Sequence, residues 1–226
     1  MKRSSVLKWI VAIAALVTLP AFAQQGKVEV LWLGQSAFRI TSPGGKVIVT
    51  DPWLLKNPMT PAAFKDLKAL GKVDVLFVTH GHGDHIGDAP EIAKLNNIPL
   101  WAPGDLNMTL TTLGVLPPAQ LPRYNKSGRV TPAPGIGLTM THAEHSSVYV
   151  WRNPATGKDE THPGGEPVGS IRVTHGAHLE AVIGAAEVPA LIDELPVLAA
   201  RAALGRAGAR LALPRAQDHQ LLLQLA

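Results

Sequence analysis

Thr79-His80-Gly81-His82-Gly83-Asp84-His85 sets three imidazoles and one carboxylate within the six positions His80 to His85. Just before it, Val73-Asp74-Val75-Leu76-Phe77-Val78 is an apolar, β-branched run following Gly71, a pattern that predicts a buried strand. From Ile86 to Leu95 the apolar residues recur at helical spacing. The cluster therefore falls on a strand-to-helix loop, where open α/β sheets place their ligand sites. Neutral imidazoles and a carboxylate suit zinc and similar divalent metals. Gly81 and Gly83 let the backbone turn tightly enough for alternate side chains to converge. The competing reading is a solvated, His-rich surface loop; ligand density and the strand in front argue against it.

The chain has 226 residues, enough for one sizeable domain, and no cysteine, so disulfides, thiolate ligands and a Cys nucleophile are excluded. The net charge of +4 does not point to nucleic acid. Lys2, Arg3 and Lys8 supply three of the 21 basic residues and the first 23 positions hold no acid, which leaves 18 basic against 17 acidic residues. Those 23 positions carry the marks of a secretory signal peptide: a basic start, an apolar run from Trp9 to Leu19, and Ala21-Phe22-Ala23 before Gln24. Retention as a membrane anchor is the alternative, but the run is short of the roughly 20 residues a spanning helix needs. Cleavage after Ala23 implies a periplasmic or secreted protein with no membrane contact.

Further along, 27–34, 35–41 and 46–50 are expected as strands, the last ending at Asp51-Pro52 after the Ser42-Pro43-Gly44-Gly45 turn. A helix is expected over 61–69, a strand over 98–102, a helix over 106–113 capped by Asp105, and loop over 117–129. Ile136 to Thr141 reads as a strand delivering His142-Ala143-Glu144-His145-Ser146-Ser147. His142 and His145 are both candidate third ligands beside His80 and His82, and Glu144 is either an acid/base group or simply exposed. Asn153 to Pro167, with His162 inside it, reads as a polar loop near the mouth of the site. Val168 to Val173 reads as a further strand.

The spacing His-x-His-x-Asp-His, together with Leu33-Gly34-Gln35-Ser36-Ala37-Phe38-Arg39-Ile40, resembles the metallo-β-lactamase superfamily. Within it, the chain looks like the branch of metal-dependent hydrolases that contains an ascorbate-phosphate lactonase. The resemblance covers about residues 27–169 and implies an αββα sandwich of the α/β class (α+β in some schemes). It assigns His80 and His82 to one metal and Asp84 and His85 to a second. It selects His145, which directly precedes the Ser-Ser pair, as third ligand of the first site. Asp51 matches an Asp beneath the metals that hydrogen-bonds a ligand; the plain alternative is an Asp-Pro turn. Asp84 would also orient or deprotonate the attacking water. One or two ions, Zn2+ or another divalent metal such as Mn2+, are implied.

Beyond Gly169 the composition changes. The last 56 residues have no Lys, Phe, Trp or Tyr, and Ala and Leu make up 25 of them. The family's Gly-Asp-Thr element, whose Asp bridges both metals, is missing there. Either residues 171–226 form a natural helical variant, with helices over 185–203, or the reading frame is lost near Gly169, which the Arg-, Ala- and Leu-heavy text favours. His175, His178, Asp193 and His219 are the remaining candidates for the second site, and none lies in a matching motif. The domain is thus expected over 24–170. No Gly-x-Ser-x-Gly elbow competes. The expectation is a metal-dependent hydrolase, with zinc as the expected metal, acting on a small ester, lactone or phosphodiester. Its alternative is an impaired remnant that binds at most one metal.

Overall fold

Alternation along the central strands sorts their side chains into two cores. Val47 and Val49 join one apolar cluster with Leu76 and Val78, while Ile48 joins the other with Val75 and Phe77. A strand that is apolar on both faces must be covered on both, and this dictates a layered α/β architecture. A computed structural model of the chain describes residues 28–168 in full and the backbone alone at 169–175, 181–184 and 222–225. The expected signal peptide and the helices expected over 185–203 lie outside the described residues, as do His178, Asp193 and His219.

The larger sheet has the order β13-β1-β2-β3-β4-β5-β6, built from β1 (Val28–Gly34), β2 (Ala37–Thr41), β3 (Val47–Thr50), β4 (Val75–Phe77), β5 (Leu100–Pro103), β6 (Arg123–Tyr124) and β13 (Leu222–Leu225). β1 to β3 form an antiparallel meander, and β3 to β6 run parallel. Helices α1 (Gly83–Ile86), α2 (Ala89–Asn96) and α3 (Gly104–Thr112) supply Ile86, Ile92, Leu106 and Leu110 to the cluster on one face. On the other face lies an antiparallel sheet of order β12-β11-β8-β7, formed by β7 (Arg129–Ala133), β8 (Ile136–His142), β11 (Val168–His175) and β12 (Ala181–Gly184). Ile136, Leu138 and Met140 of β8 meet Ile40, Ile48 and Phe77 between the sheets. A two-stranded ribbon of β9 (Val148–Arg152) and β10 (Asp159–Pro163) completes the described residues.

Four local expectations need correction. The segment expected as a helix over 61–69 forms two short 3-10 turns, Ala62–Phe64 and Leu67–Leu70. The Asp66 carboxylate takes the Lys68 amide and starts a new turn, and the Lys65 ammonium is drawn to the carbonyls of Leu54, Leu55 and Asn57. The loop expected over 153–167 contains β10 instead: Thr161 and His162 pair with Val150 and Tyr149, closed by a turn in which Asn153 Oδ1 accepts the Ala155 amide at 2.8 Å. Asp105 is not the cap of α3; Pro103 leads straight from β5 into the helix, and Asp105 sits in its first turn, where the helix dipole favours an acid.

The stretch 117–129, expected as loop, carries β6 and with it Tyr124, which packs parallel to Phe77 with ring centroids 4.8 Å apart and donates its hydroxyl to the Val78 carbonyl. Burial, with the Asp51 charge behind it, pushes the Tyr124 pKa well above the ordinary phenol value, so the ring acts as a neutral donor. Tyr124→Phe removes that donor from a buried carbonyl directly before the His loop. It is expected to cost about 1–3 kcal/mol in urea denaturation.

Candidate metal centre

The C-terminal ends of β3, β4 and β5 lie together at one edge of the parallel region, where the Asp51 amide donates to the Phe77 carbonyl and the Val78 amide to the Trp101 carbonyl. Asp51 follows β3 and Thr79-His80 follows β4. Asp51 is 1% exposed and its backbone is left-handed, φ 41°. From there its carboxylate accepts the Thr79 amide at 2.7 Å, the Thr79 hydroxyl at 2.8 Å and His85 Nδ1 at 3.0 Å. One buried carboxylate thus holds both ends of the His80–His85 loop.

The same network fixes the His80 ring. Its Nδ1 lies 3.0 Å from the Thr79 hydroxyl, whose single proton is given to Asp51, so Nδ1–H is the donor and Nε2 is bare. His80 Nε2 faces His82 Nδ1 at 3.0 Å. Burial first, then the neighbouring His85, His82 and His145, bring the His80 pKa from 6.5 down to about 2, and burial with His145 lowers that of His82. Both are held as neutral imidazoles, the form that binds a metal.

His145 arrives from the other sheet, on the segment after β8. One nitrogen from each of His80, His82 and His145 lies within 4.8 Å of the others, the three graded from buried through half-buried to exposed. A tetrahedral zinc with bonds of 2.0–2.1 Å sets its nitrogens about 3.3 Å apart, so the donor set fits such an ion after a small contraction. His142 stays outside: exposed at the end of β8, it pairs with Glu144 at 2.6 Å, and this contact lowers the Glu144 pKa.

Asp84 and His85 border the triad. The His80 and His85 rings are 4.0 Å apart, and His85 Nε2 lies 3.9 Å from Asp84 Oδ2. Burial alone would push the His85 pKa down, but its hydrogen bond to Asp51 and the charges of Asp51 and Asp84 raise it. Of the downstream candidates, only the backbone of His175 is described, at the end of β11. His162 is on the ribbon, edge-on to Trp151 and 3.6 Å from Glu160, beside α3 and apart from the triad.

Several contacts that frame the centre are not announced by the sequence motifs. Gln35, expected inside a strand, lies in the β1–β2 turn at φ 52° and donates Nε2–H to Asp84 Oδ2 at 3.2 Å. Gly34-Gln35-Ser36 between two apolar runs was the available turn signal. Ser147 Oγ accepts the Gly81 amide at 3.1 Å, and the Ser147 carbonyl accepts the Gly164 amide. A Cβ on Gly81 would lie 2.5 Å from the Gly164 Cα, so only glycine allows the two backbones to touch.

A sequence profile described as the beta-lactamase superfamily domain matches residues 46–188, which extends past the point near 169 where the resemblance was expected to fade. The chain is similar to a metal-dependent hydrolase from a Polaromonas species, 66% identical over 72% of this chain and 60% of that protein. It is also similar to one from Cupriavidus necator, 61% identical over 65% of this chain and 51% of that protein. The chain thus spans little more than half the length of these curated relatives. Among solved structures, a metallo hydrolase of the hyperthermophilic archaeon Ignicoccus hospitalis superposes with a TM-score of 0.54 and 26% identity, over 70% of this chain and 60% of the other.

Two outcomes follow from this geometry. Because the unfolded chain takes up a proton near pH 6.5 that folded His80 refuses until about pH 2, the His80 contribution to the stability of the metal-free protein is full above 6.5 and is lost as pH falls through it. His82 adds to the loss. His85, its pKa raised, stays protonated in this window and leaves the slope unchanged. In chelator, the unfolding free energy should fall by about 1.4 kcal/mol or more per pH unit below pH 6. Gly81→Ala forces the Gly164 backbone away and should cost about 1–3 kcal/mol in the same assay.

Proposed function

The chain belongs to the metallo-β-lactamase superfamily, and from that premise we propose that it is a metal-dependent hydrolase acting on a small ester, lactone or phosphodiester, with zinc as its metal. The observation that carries the reading is the His80, His82 and His145 group, three imidazoles, graded from buried to exposed, whose ring nitrogens gather at the C-terminal edge of the parallel strands. A divalent ion held there supplies Lewis acidity, lowering the pKa of water and polarising a carbonyl or phosphoryl oxygen.

The chain's own residues provide the remainder. Asp51, through Thr79, keeps His80 in the tautomer that leaves Nε2 bare, and through His85 Nδ1 it turns that ring's Nε2 outward. Asp84, whose side chain is 43% exposed, presents a carboxylate beside the triad that can orient a water molecule and accept its proton. Exposure grows from His80 to His145, so substrate reaches the centre from the His145 side. Asp84 and His85 supply two donors toward a second ion.

A second reading, a remnant that holds one ion at most, is favoured by one observation: among the described residues only His80, His82 and His145 form a metal-binding group. Metal content separates the two. Two equivalents of zinc per chain, with hydrolysis of a lactone or phosphodiester lost at least 100-fold in His82→Ala, support the two-metal hydrolase. One equivalent without turnover supports the remnant, and activity that survives both His82→Ala and chelation would refute the proposal.

A further inference from the structure

Among the described residues, four that are not glycine have positive φ: Gln35, Asp51, Asn97 and Ser127. Asn97 ends α2 in the left-handed cap that asparagine commonly fills, and Ser127 turns the chain between β6 and β7. The other two share a different property. Asp51 puts its carboxylate on Thr79 and His85, and Gln35 puts its amide on Asp84. Each holds a long or charged side chain in a backbone region where glycine would sit without strain, and each spends it on the same six-residue loop.

The Gln35 turn is held from several directions. Its carbonyl accepts Trp32 Nε1–H at 2.8 Å. Gly34 next to it has φ 102°, and a Cβ there would lie 2.8 Å from Asn57 Nδ2 and 3.1 Å from the backbone at Met59 and Thr60. The turn therefore cannot slide toward the 57–60 loop, and Gln35 is left pointing at α1. An ionised carboxylate can only accept, so the amide nitrogen, not the oxygen, must face Asp84. The contact engages Oδ2, the same oxygen that lies 3.9 Å from His85 Nε2. Without Gln35, a half-exposed aspartate on a one-turn helix is free to rotate into solvent.

We propose that Gln35 is the positioning residue for Asp84: its side-chain amide fixes the carboxylate's rotation beside the imidazole triad, and this function keeps a glutamine in a left-handed turn. The inference rests on the hydrolase reading above, in which Asp84 serves the reaction.

The test uses the full chain and Gln35→Gly, Asp84→Ala and the double variant. In metal-free protein, the Gln35 side-chain amide signal, identified by its loss in Gln35→Gly, should shift in Asp84→Ala. An unchanged signal means the contact is absent and overturns the inference. Gln35→Gly relieves the backbone, so its Tm should equal or exceed that of the wild type. Its kcat on bis(p-nitrophenyl) phosphate should fall about tenfold with KM within twofold, while zinc affinity of the tightest site, measured by competition with a chromophoric chelator, stays unchanged. The double variant should match Asp84→Ala. Losses that multiply in the double variant, a lower Tm in Gln35→Gly, or wild-type turnover in Gln35→Gly each overturn the positioning role. Wild-type protein that neither binds zinc nor turns over substrate overturns the hydrolase reading itself, whatever the amide signal shows.

Discussion

The carboxylate of Asp51 is the constraint on which the centre depends. It is buried, and a buried carboxylate is tolerated only when its lone pairs are occupied. Here the Thr79 amide, the Thr79 hydroxyl and His85 Nδ1 occupy them. Because these donors come from both ends of one loop, satisfying the charge and shaping the loop are the same event. The hydroxyl then passes the orientation on to His80, so one acidic group sets the tautomer of one ring directly and of another through an intermediary.

Around this post, the His loop meets the second half of the chain by close contact. Ser147 accepts from Gly81 and the Val168 amide donates to the Thr79 carbonyl, while the Gly164 amide donates to the Ser147 carbonyl and holds the two ends of the ribbon together. Glycine at 81 and at 164 is what permits these approaches, since a Cβ on Gly81 would lie 2.5 Å from the Gly164 Cα across the seam and one on Gly164 2.5 Å from Ser147 Oγ beside it. Behind it lies an apolar layer in which Phe77 stacks on Tyr124 and Met140 joins the same cluster.

Much of this was legible in the sequence because it is written locally. Strand-loop-helix periodicity around His80–His85, the 28–50 meander and the strand before His142 are patterns within a few residues, and the strands lie where alternation and apolar runs put them. Proximity of His145 to His80 and His82 is not local, and composition alone left His142 equally eligible. Two of the misreadings share a cause: polar side chains that compete for backbone groups. Asp66 and Lys65 broke an expected helix, and Asn153 closed a ribbon that had looked like loop. Gln35 escaped notice because its partner lies 49 positions away and its role needs a backbone angle that no residue pattern announces.

His80 and His82 belong to the loop of one sheet and His145 to a segment of the other, 65 positions after His80. An ion held by all three would therefore act as a cross-link as well as a reagent, closing a long chain loop in the way a disulfide does in chains that have cysteine. This chain has none. Loading would then report on assembly: the two sheets must already be apposed for three-fold chelation, and once formed it resists their separation in proportion to the logarithm of free metal. The site is in that sense a buckle, and the concentration of metal around the protein sets how tightly it is fastened.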